Sequence, residues 1–301
     1  MTRQVLVGID GSPQSQTAAD WAAAEAQRSG APLRLLHAWP WLTGANSPDT
    51  ATSYPGDLRT AALHALTDTA DRIRRAHPGL AVETEVIGDE PVDALMHACA
   101  GQSLLVLGSR GLGGFAALLV GSVGLAVAAR APVPVVLVRP DSCPNAAAPG
   151  AQGPTVREVV VGLDAHHPVD AVLDFAFTEA GRRGARLHAV HGWNPLPAWS
   201  LANWVPPRSE VAAQQACEEA ELTQMLASWR ERYPEVEVAE LVRLGGAAGV
   251  LMDACTGADL VVVGRRDRRH DLGPRLGPRL GPVAHAVLHH AATPVAVVPH
   301  P

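Results

Sequence analysis

The 301-residue sequence contains no lysine; all 24 of its basic residues are arginine. This removes the lysine with which a P-loop reaches the outer phosphates of a nucleotide. Acidic residues number 30, the net charge is -6, and no basic stripe stands out. Nucleic acid is therefore not expected as the main partner. No apolar run reaches the roughly 18 residues of a membrane helix, so no membrane partner is expected either. Cysteine is scarce: Cys99, Cys143, Cys217 and Cys255 show neither metal-like nor redox-like spacing. Cys99 and Cys255 sit in apolar helical contexts and read as core, and a reducing cytoplasm fits this usage. The start, Met1-Thr2-Arg3-Gln4, runs straight into a strand without a leader-like segment.

What is present is apolar and regular. Hydrophobic residues make up 47% and charged residues 18%, enough for well-formed cores. The length suggests about two domains. In the first half, apolar runs at Val5–Ile9, Leu33–Trp39, Ala81–Ile87, Leu104–Leu107 and Val135–Val138 read as strands. Helical stretches separate them. The first runs from Gln14 to Gln27, with Ser12 as its cap, Pro13 in its first turn and Ser29-Gly30 as its stop. Others are expected from about Leu58 to Ala76, from Pro91 to Gly101, and from Val123 to Arg130. Residues 40–57 read as a loop. Strands alternating with helices imply an α/β fold with a parallel sheet. Ligands of such sheets bind at the carboxyl ends of the strands. Asp10, Ala38 and Gly108 all lie at such ends and would converge on one crevice.

The most informative stretch is Gly108-Ser109-Arg110-Gly111, continuing through Gly121-Ser122. It joins a buried strand to a helix start. Glycine lets the backbone approach a bulky anion. The amides at the helix start favour negative charge, and Ser122 adds a hydroxyl. These residues form a phosphate cradle; a flexible surface loop is the alternative on the glycines alone. The glycines come too late in the domain for the dinucleotide fingerprint.

The pattern then repeats. Val5-Leu6-Val7-Gly8-Ile9-Asp10 matches Val159-Val160-Val161-Gly162-Leu163-Asp164, 154 positions later, and His37-Ala38-Trp39 matches His191-Gly192-Trp193 at the same offset. Gly108 matches Gly264 at an offset of 156, and Pro134 matches Pro294 at 160. A tandem Gly-Pro-Arg-Leu duplication in 273–280 accounts for the last jump. Residues 139–155 are rich in small residues and proline. The expected organisation is a domain at 1–140, a linker at 141–155 and a domain at 156–301.

The second cradle is degenerate. Asp267 stands at the place of Gly111, and Pro278 or Pro282, depending on how the duplication is counted, at that of Ser122. Proline has neither amide hydrogen nor hydroxyl. A carboxylate at ~4 Å from a phosphate costs on the order of 1–4 kcal/mol. Arg265 and Arg266 offset part of this if they turn inward. Asp10-Gly11-Ser12 has become Asp164-Ala165-His166. The second half is expected to bind nucleotide weakly or not at all.

The spacing Gly108-x2-Gly111-x9-Gly121-Ser122, with Val-Gly-Ile-Asp-Gly-Ser at the start and Pro-Val-x-Val-Val near the end of each half, resembles the universal stress protein family in its tandem form, as found in actinobacteria. The likeness covers almost the whole chain. It implies two Rossmann-like domains of the adenine nucleotide α-hydrolase type, each a five-stranded parallel sheet flanked by helices. It also implies a cytoplasmic, ATP-binding stress regulator with at most slow ATPase activity. Carried over by position, Asp10 would sit at ribose and phosphates, often near a divalent metal such as Mg2+. Ala38 would meet adenine through its backbone. Gly108, Gly111, Gly121 and Ser122 would hold ribose and phosphates. Leu107 and Val123 would line the crevice, and Ile9 would lie under the base. The resemblance further implies that the halves dock through Val135–Val138 and Val295–Val298. A homodimer and a protein partner of unknown identity are further partner classes. The alternatives are an ATP-hydrolysing enzyme of the same superfold and an interaction module without nucleotide.

Other residues have competing readings. Arg110 is a candidate phosphate contact or a solvated side chain. His285 and His289, spaced i, i+4, could ligate zinc, but no third ligand is evident and no metal is expected. His166-His167 reads as a surface cap of the second half's first helix. Trp193, Trp199 and Trp204 read as part of a long loop, as lid or packing. Glu218, Glu219 and Glu221 read as the wet side of a helix.

Overall fold

The computed structural model describes residues 3–38, 55–111, 120–140, 157–194, 207–267 and 280–301. The expected loop at 40–57 lies outside these residues up to 54, and 55–57 belong to a helix that starts at Pro55 instead of Leu58. The linker at 141–155, Trp199, Trp204 and the Gly-Pro-Arg-Leu duplication up to Arg279 also lie outside them. The chain divides into two compact units, one in each half.

In the first unit, β1 (Val5–Gly8), β2 (Leu33–Ala38), β3 (Val82–Ile87), β4 (Leu104–Gly108) and β5 (Val135–Val138) alternate with α1 (Pro13–Ser29), α2 (Pro55–Ala76), α3 (Pro91–Cys99) and α4 (Ser122–Arg130). The strands are parallel throughout and stand in the order β3-β2-β1-β4-β5. The direction of winding reverses between β1 and β4, which opens a crevice at their carboxyl ends. Residues Leu104–Leu107 and Val135–Val138 are all buried. That is how continuous apolar runs behave when helices cover both faces of a parallel sheet. The outer strand β3 is half exposed, and the side chains of Arg34 and Glu85 pair across it.

Helix α1 starts where Ser12 places it. The Ser12 hydroxyl accepts from the Ser15 amide at 3.1 Å, and Pro13 supplies the first helical position. Its inner face is small: Ala18, Ala19, Ala22, Ala23 and Ala26 are buried together with Trp21. Small side chains let this helix lie close to the sheet.

The second unit repeats the arrangement. It contains β6 (Glu158–Gly162), β7 (Arg186–Trp193), β8 (Val238–Leu244), β9 (Leu260–Arg266) and β10 (Val295–His300), ordered β8-β7-β6-β9-β10 and parallel. The helices are α5 (Asp170–Arg183), α6 (Arg208–Arg232), α7 (Ala247–Ala254) and α8 (Pro282–His290). Under α5 and α6 the rings of Phe177, Trp229 and Tyr233 stack, with centroids 5.4–6.3 Å apart. Glu179 and Arg183 form a buried ion pair at 2.8 Å.

The two α/β sheets bear out the expected fold class, and Cys99 and Cys255 are buried as expected. Two local readings need correction. Helix α5 begins at Asp170 after Val169, without a side-chain cap, so His166 and His167 lie in the turn before it and do not cap it. Trp193 ends strand β7, is buried, and donates its indole hydrogen to Gln215 at 2.6 Å; it does not belong to a loop. No helix among the described residues is long and apolar enough to cross a membrane.

Candidate functional site

The crevice of the first unit is built on contacts between the segments that follow β1 and β4. Asp10 Oδ1 accepts hydrogen bonds from the Ser12 amide at 2.9 Å and the Ser12 hydroxyl at 2.6 Å. A Cβ on Gly111 would collide with Asp10 Oδ2. A Cβ on Gly108 would lie 2.8 Å from the backbone carbon of Gln14. Packing against backbone thus requires glycine at 108, whereas a side chain at 111 would have to displace the Asp10 carboxylate.

Gly121 differs. Its amide donates to the Ser109 carbonyl at 2.8 Å, which draws the start of α4 back to the end of β4. A Cβ there would have its nearest neighbours, Arg110 Cα and the Ser109 carbonyl oxygen, at 3.7 Å, an ordinary contact. Among the described residues nothing demands glycine at 121, whereas a ligand approaching the backbone would. Helix α4 starts at Ser122 with no side-chain cap, so the amides of Ser122, Val123 and Gly124 point out of its first turn. The Gly121 amide, spent on Ser109, is not part of this donor set.

The remaining predicted residues fall around this centre. Ser122 is exposed, Val123 and Ala38 are half-buried, and Ala38 ends β2. Ile9 and Leu107 are buried. The Ile9 amide donates to Leu36 at 2.8 Å, and the His37 ring nitrogen Nδ1 lies 2.7 Å from the Ile9 carbonyl. Residues 112–119, the middle of the glycine-rich connection, lie outside the described residues.

Sequence reasoning missed Arg139. It follows β5 directly. Burial lowers its pKa, and the Arg110 charge lowers it further. An anion would relieve the mutual repulsion of two such cations. The legible signal was an arginine immediately after the last strand.

The second crevice is rebuilt. Strand β9 continues to Arg266 and pairs with β10 as far as His300, two residues beyond the corresponding ends of β4 and β5. The Asp267 amide donates to the His300 carbonyl at 2.6 Å. The His300 ring lies against Gly264, at 3.1 Å from where a Cβ would stand. Burial lowers the pKa of His300, and Arg266 and Arg265 lower it further, against a raising hydrogen bond to Pro301. Pro282 occupies the first position of α8, so the amide that Ser122 supplies in the first unit is absent here.

A cavity of about 440 Å³ remains at this end of the second sheet. Asp164, His166, His191, Glu218, Arg266 and His300 are among its walls. Burial alone would raise the Asp164 pKa, but hydrogen bonds from His167 and the His166 amide outweigh it, and the net shift is downward. Glu218 is 3% exposed, which overturns the reading of a wet face at that position; Glu219 and Glu221 are exposed. It sits on the inner side of α6, facing the histidines.

The model of the universal stress protein family matches residues 1–139 and 155–299. The chain belongs to this family. Universal stress protein Rv2005c of Mycobacterium tuberculosis is 33% identical over 300 residues, covering 97% of this chain and 96% of the relative. A universal stress protein of Mycolicibacterium smegmatis is likewise 33% identical, over 302 residues. Among solved structures, a universal stress protein from Archaeoglobus fulgidus shares the fold with a TM-score of 0.65 at 19% identity, covering 99% of both chains. The tandem organisation therefore extends to its relatives, which are two-domain chains of the same length class.

Proposed function

We propose that the first domain, residues 1–140, binds ATP and that the protein acts as a nucleotide-responsive regulator in a reducing cytoplasm. The supporting observation is the uncapped start of α4 beside Gly121, where no described residue crowds a Cβ. The amides of Ser122, Val123 and Gly124 and the Ser122 hydroxyl would donate to phosphate oxygens. Arg110 and Arg139 would neutralise the outer phosphates. Asp10, oriented by Ser12, is a carboxylate suited to a ribose hydroxyl or to Mg2+, a hard cation that prefers carboxylate and phosphate oxygens. When bound, the metal would neutralise phosphate charge. Ala38, at the end of β2, would meet the base.

A binding role fits these groups better than a catalytic one. They are fixed donors, cations and a single carboxylate already engaged by Ser12. Turnover in the ordinary enzymatic range of about 1–10³ s⁻¹ would contradict this reading. The free thiols of Cys99, Cys217 and Cys255 agree with a reducing compartment. We assign the second domain, residues 156–301, weak nucleotide binding or none, because Pro282, the His300 ring and the extended β9 alter its cradle. A homodimer and a protein partner remain part of the proposal.

Calorimetry of the full chain with ATP tests it, alongside Gly121→Val. The native chain should bind close to one equivalent, and the variant, whose side chain would project among the donors, should lose that binding with its melting temperature nearly unchanged. Equal affinity in the two proteins would refute the assignment.

A further inference from the structure

Among the described residues, the second domain carries a side-chain cluster with no counterpart in the first. His166 Nε2 lies 3.0 Å and His191 Nε2 3.2 Å from the same carboxylate oxygen, Glu218 Oε2. These three ligand atoms all lie within 4.8 Å of one another. Glu218 and His191 are buried, and His166 is half-exposed at the cavity wall. We propose that this cluster is a binding site for a divalent transition-metal ion of the zinc class.

The ligand set is His, His and Glu, one of the sets that leave a fourth position on zinc for water. With bonds of about 2.0–2.1 Å, neighbouring ligand atoms of a tetrahedral zinc stand ~3.3 Å apart. The two histidine–glutamate spacings already approximate that edge, and only the histidine–histidine spacing must close.

The surrounding groups orient the ligands as metal sites require. His191 Nδ1 lies 3.1 Å from the Leu163 carbonyl and 3.4 Å from the Ala165 amide, while Nε2 faces the Glu218 carboxylate at 3.2 Å. A divalent cation between Nε2 and the carboxylate would hold the ring hydrogen on Nδ1, where the Leu163 carbonyl can accept it. His166 presents Nε2 to the same oxygen while Nδ1 lies 2.6 Å from Glu221, a carboxylate that can hold the ring as an outer partner. The other Glu218 oxygen accepts from Gln214 at 2.7 Å, which leaves Oε2 for the ion. Each of the three ligands therefore has a backbone or side-chain partner fixing its second atom. The first domain has Ser12 where the second has His166, and that hydroxyl is already used to cap α1.

The site faces the cavity, so its fourth position would be filled by water or by a small anion drawn from there. It does not depend on ATP binding in the first domain.

Equilibrium dialysis of the full chain against Zn2+ alone, after chelator treatment, is the direct test. About one equivalent should bind. Co2+ in its place should give the intense visible absorption of a four-coordinate ion. His166→Ala, a change at a half-exposed residue that leaves the buried core intact, should weaken binding by more than about 100-fold, as should Glu218→Gln. Glu221→Gln should weaken it by about 10–100-fold, as outer partners do. A chain with both His285→Ala and His289→Ala should bind as the native chain does, although those rings lie 4.4 Å apart on α8. Failure of the native chain to bind, retention of zinc by His166→Ala, or loss of zinc in the His285/His289 variant would each overturn the site.

Discussion

Substituting Ser122 by proline would give the first domain the residue that opens α8 in the second. The change should be nearly neutral for folding. Proline is favoured at the first helical position because its missing amide hydrogen has no partner within the helix. The preceding residue, Gly121, has φ -76° and ψ 158°, the extended conformation that a following proline demands. Loss of chain entropy in the unfolded state would add about 0.4–1 kcal/mol of stability, and loss of the hydroxyl would remove little from an exposed position. The effect on ligand should be large. One amide and one hydroxyl directed at phosphate disappear. Hydrogen bonds to a charged group are worth roughly 1.5–3 kcal/mol each, so about 3–6 kcal/mol of binding is at stake. At 1.4 kcal/mol per factor of ten, ATP affinity should fall by roughly 10²–10⁴-fold. Calorimetric titration together with thermal melting in nucleotide-free buffer measures both quantities. Unchanged ATP affinity in a stable Ser122→Pro protein would show that the start of α4 is not where phosphate rests.

Other perturbations separate packing from binding. Gly108→Ala would place a methyl 2.8 Å from the Gln14 backbone, where no flexible side chain can yield, and should lower stability by about 1–3 kcal/mol in denaturant unfolding even without nucleotide. Glu179→Gln strands the buried Arg183 charge and should cost about 3–5 kcal/mol, with the midpoint of urea unfolding as the readout. The pKa of His300 is lowered in the folded state, so the unfolded chain binds the extra proton first and folding stability should decline as pH falls below the ordinary value of 6.5. Thermal melts between about pH 7.5 and 5.5 should show a smaller decline in His300→Gln.

The alternating strands were legible because parallel strands covered on both faces are written as unbroken apolar runs, as at Leu104–Leu107 and Val159–Val161. Ser12-Pro13 was equally plain, since a hydroxyl and a proline in that order have few other uses. The glycines of the first cradle could be found by spacing, but their separate reasons could not. Gly108 yields to the backbone of Gln14, Gly111 to a carboxylate far away in sequence, and Gly121 to neither. Arg139 went unnoticed because the charge it shares an electrostatic field with, Arg110, is brought to the same end of the sheet only by the pairing of β4 with β5. Glu218 was misread for a related reason. The helix that carries it has almost no apolar stripe, and charged neighbours at Glu219 and Glu221 suggested solvent. Only the fold shows that a buried imidazole waits opposite.

In both halves a histidine ring is tethered to the backbone carbonyl just past the first strand, His37 to Ile9 and His191 to Leu163. The tether fixes the plane of the ring and the direction of its second nitrogen. A chain that copies this domain thereby copies an imidazole whose orientation is already set. Whatever later settles at the mouth of either sheet inherits that fixed point, and a new chemistry needs only neighbours to arrive around it.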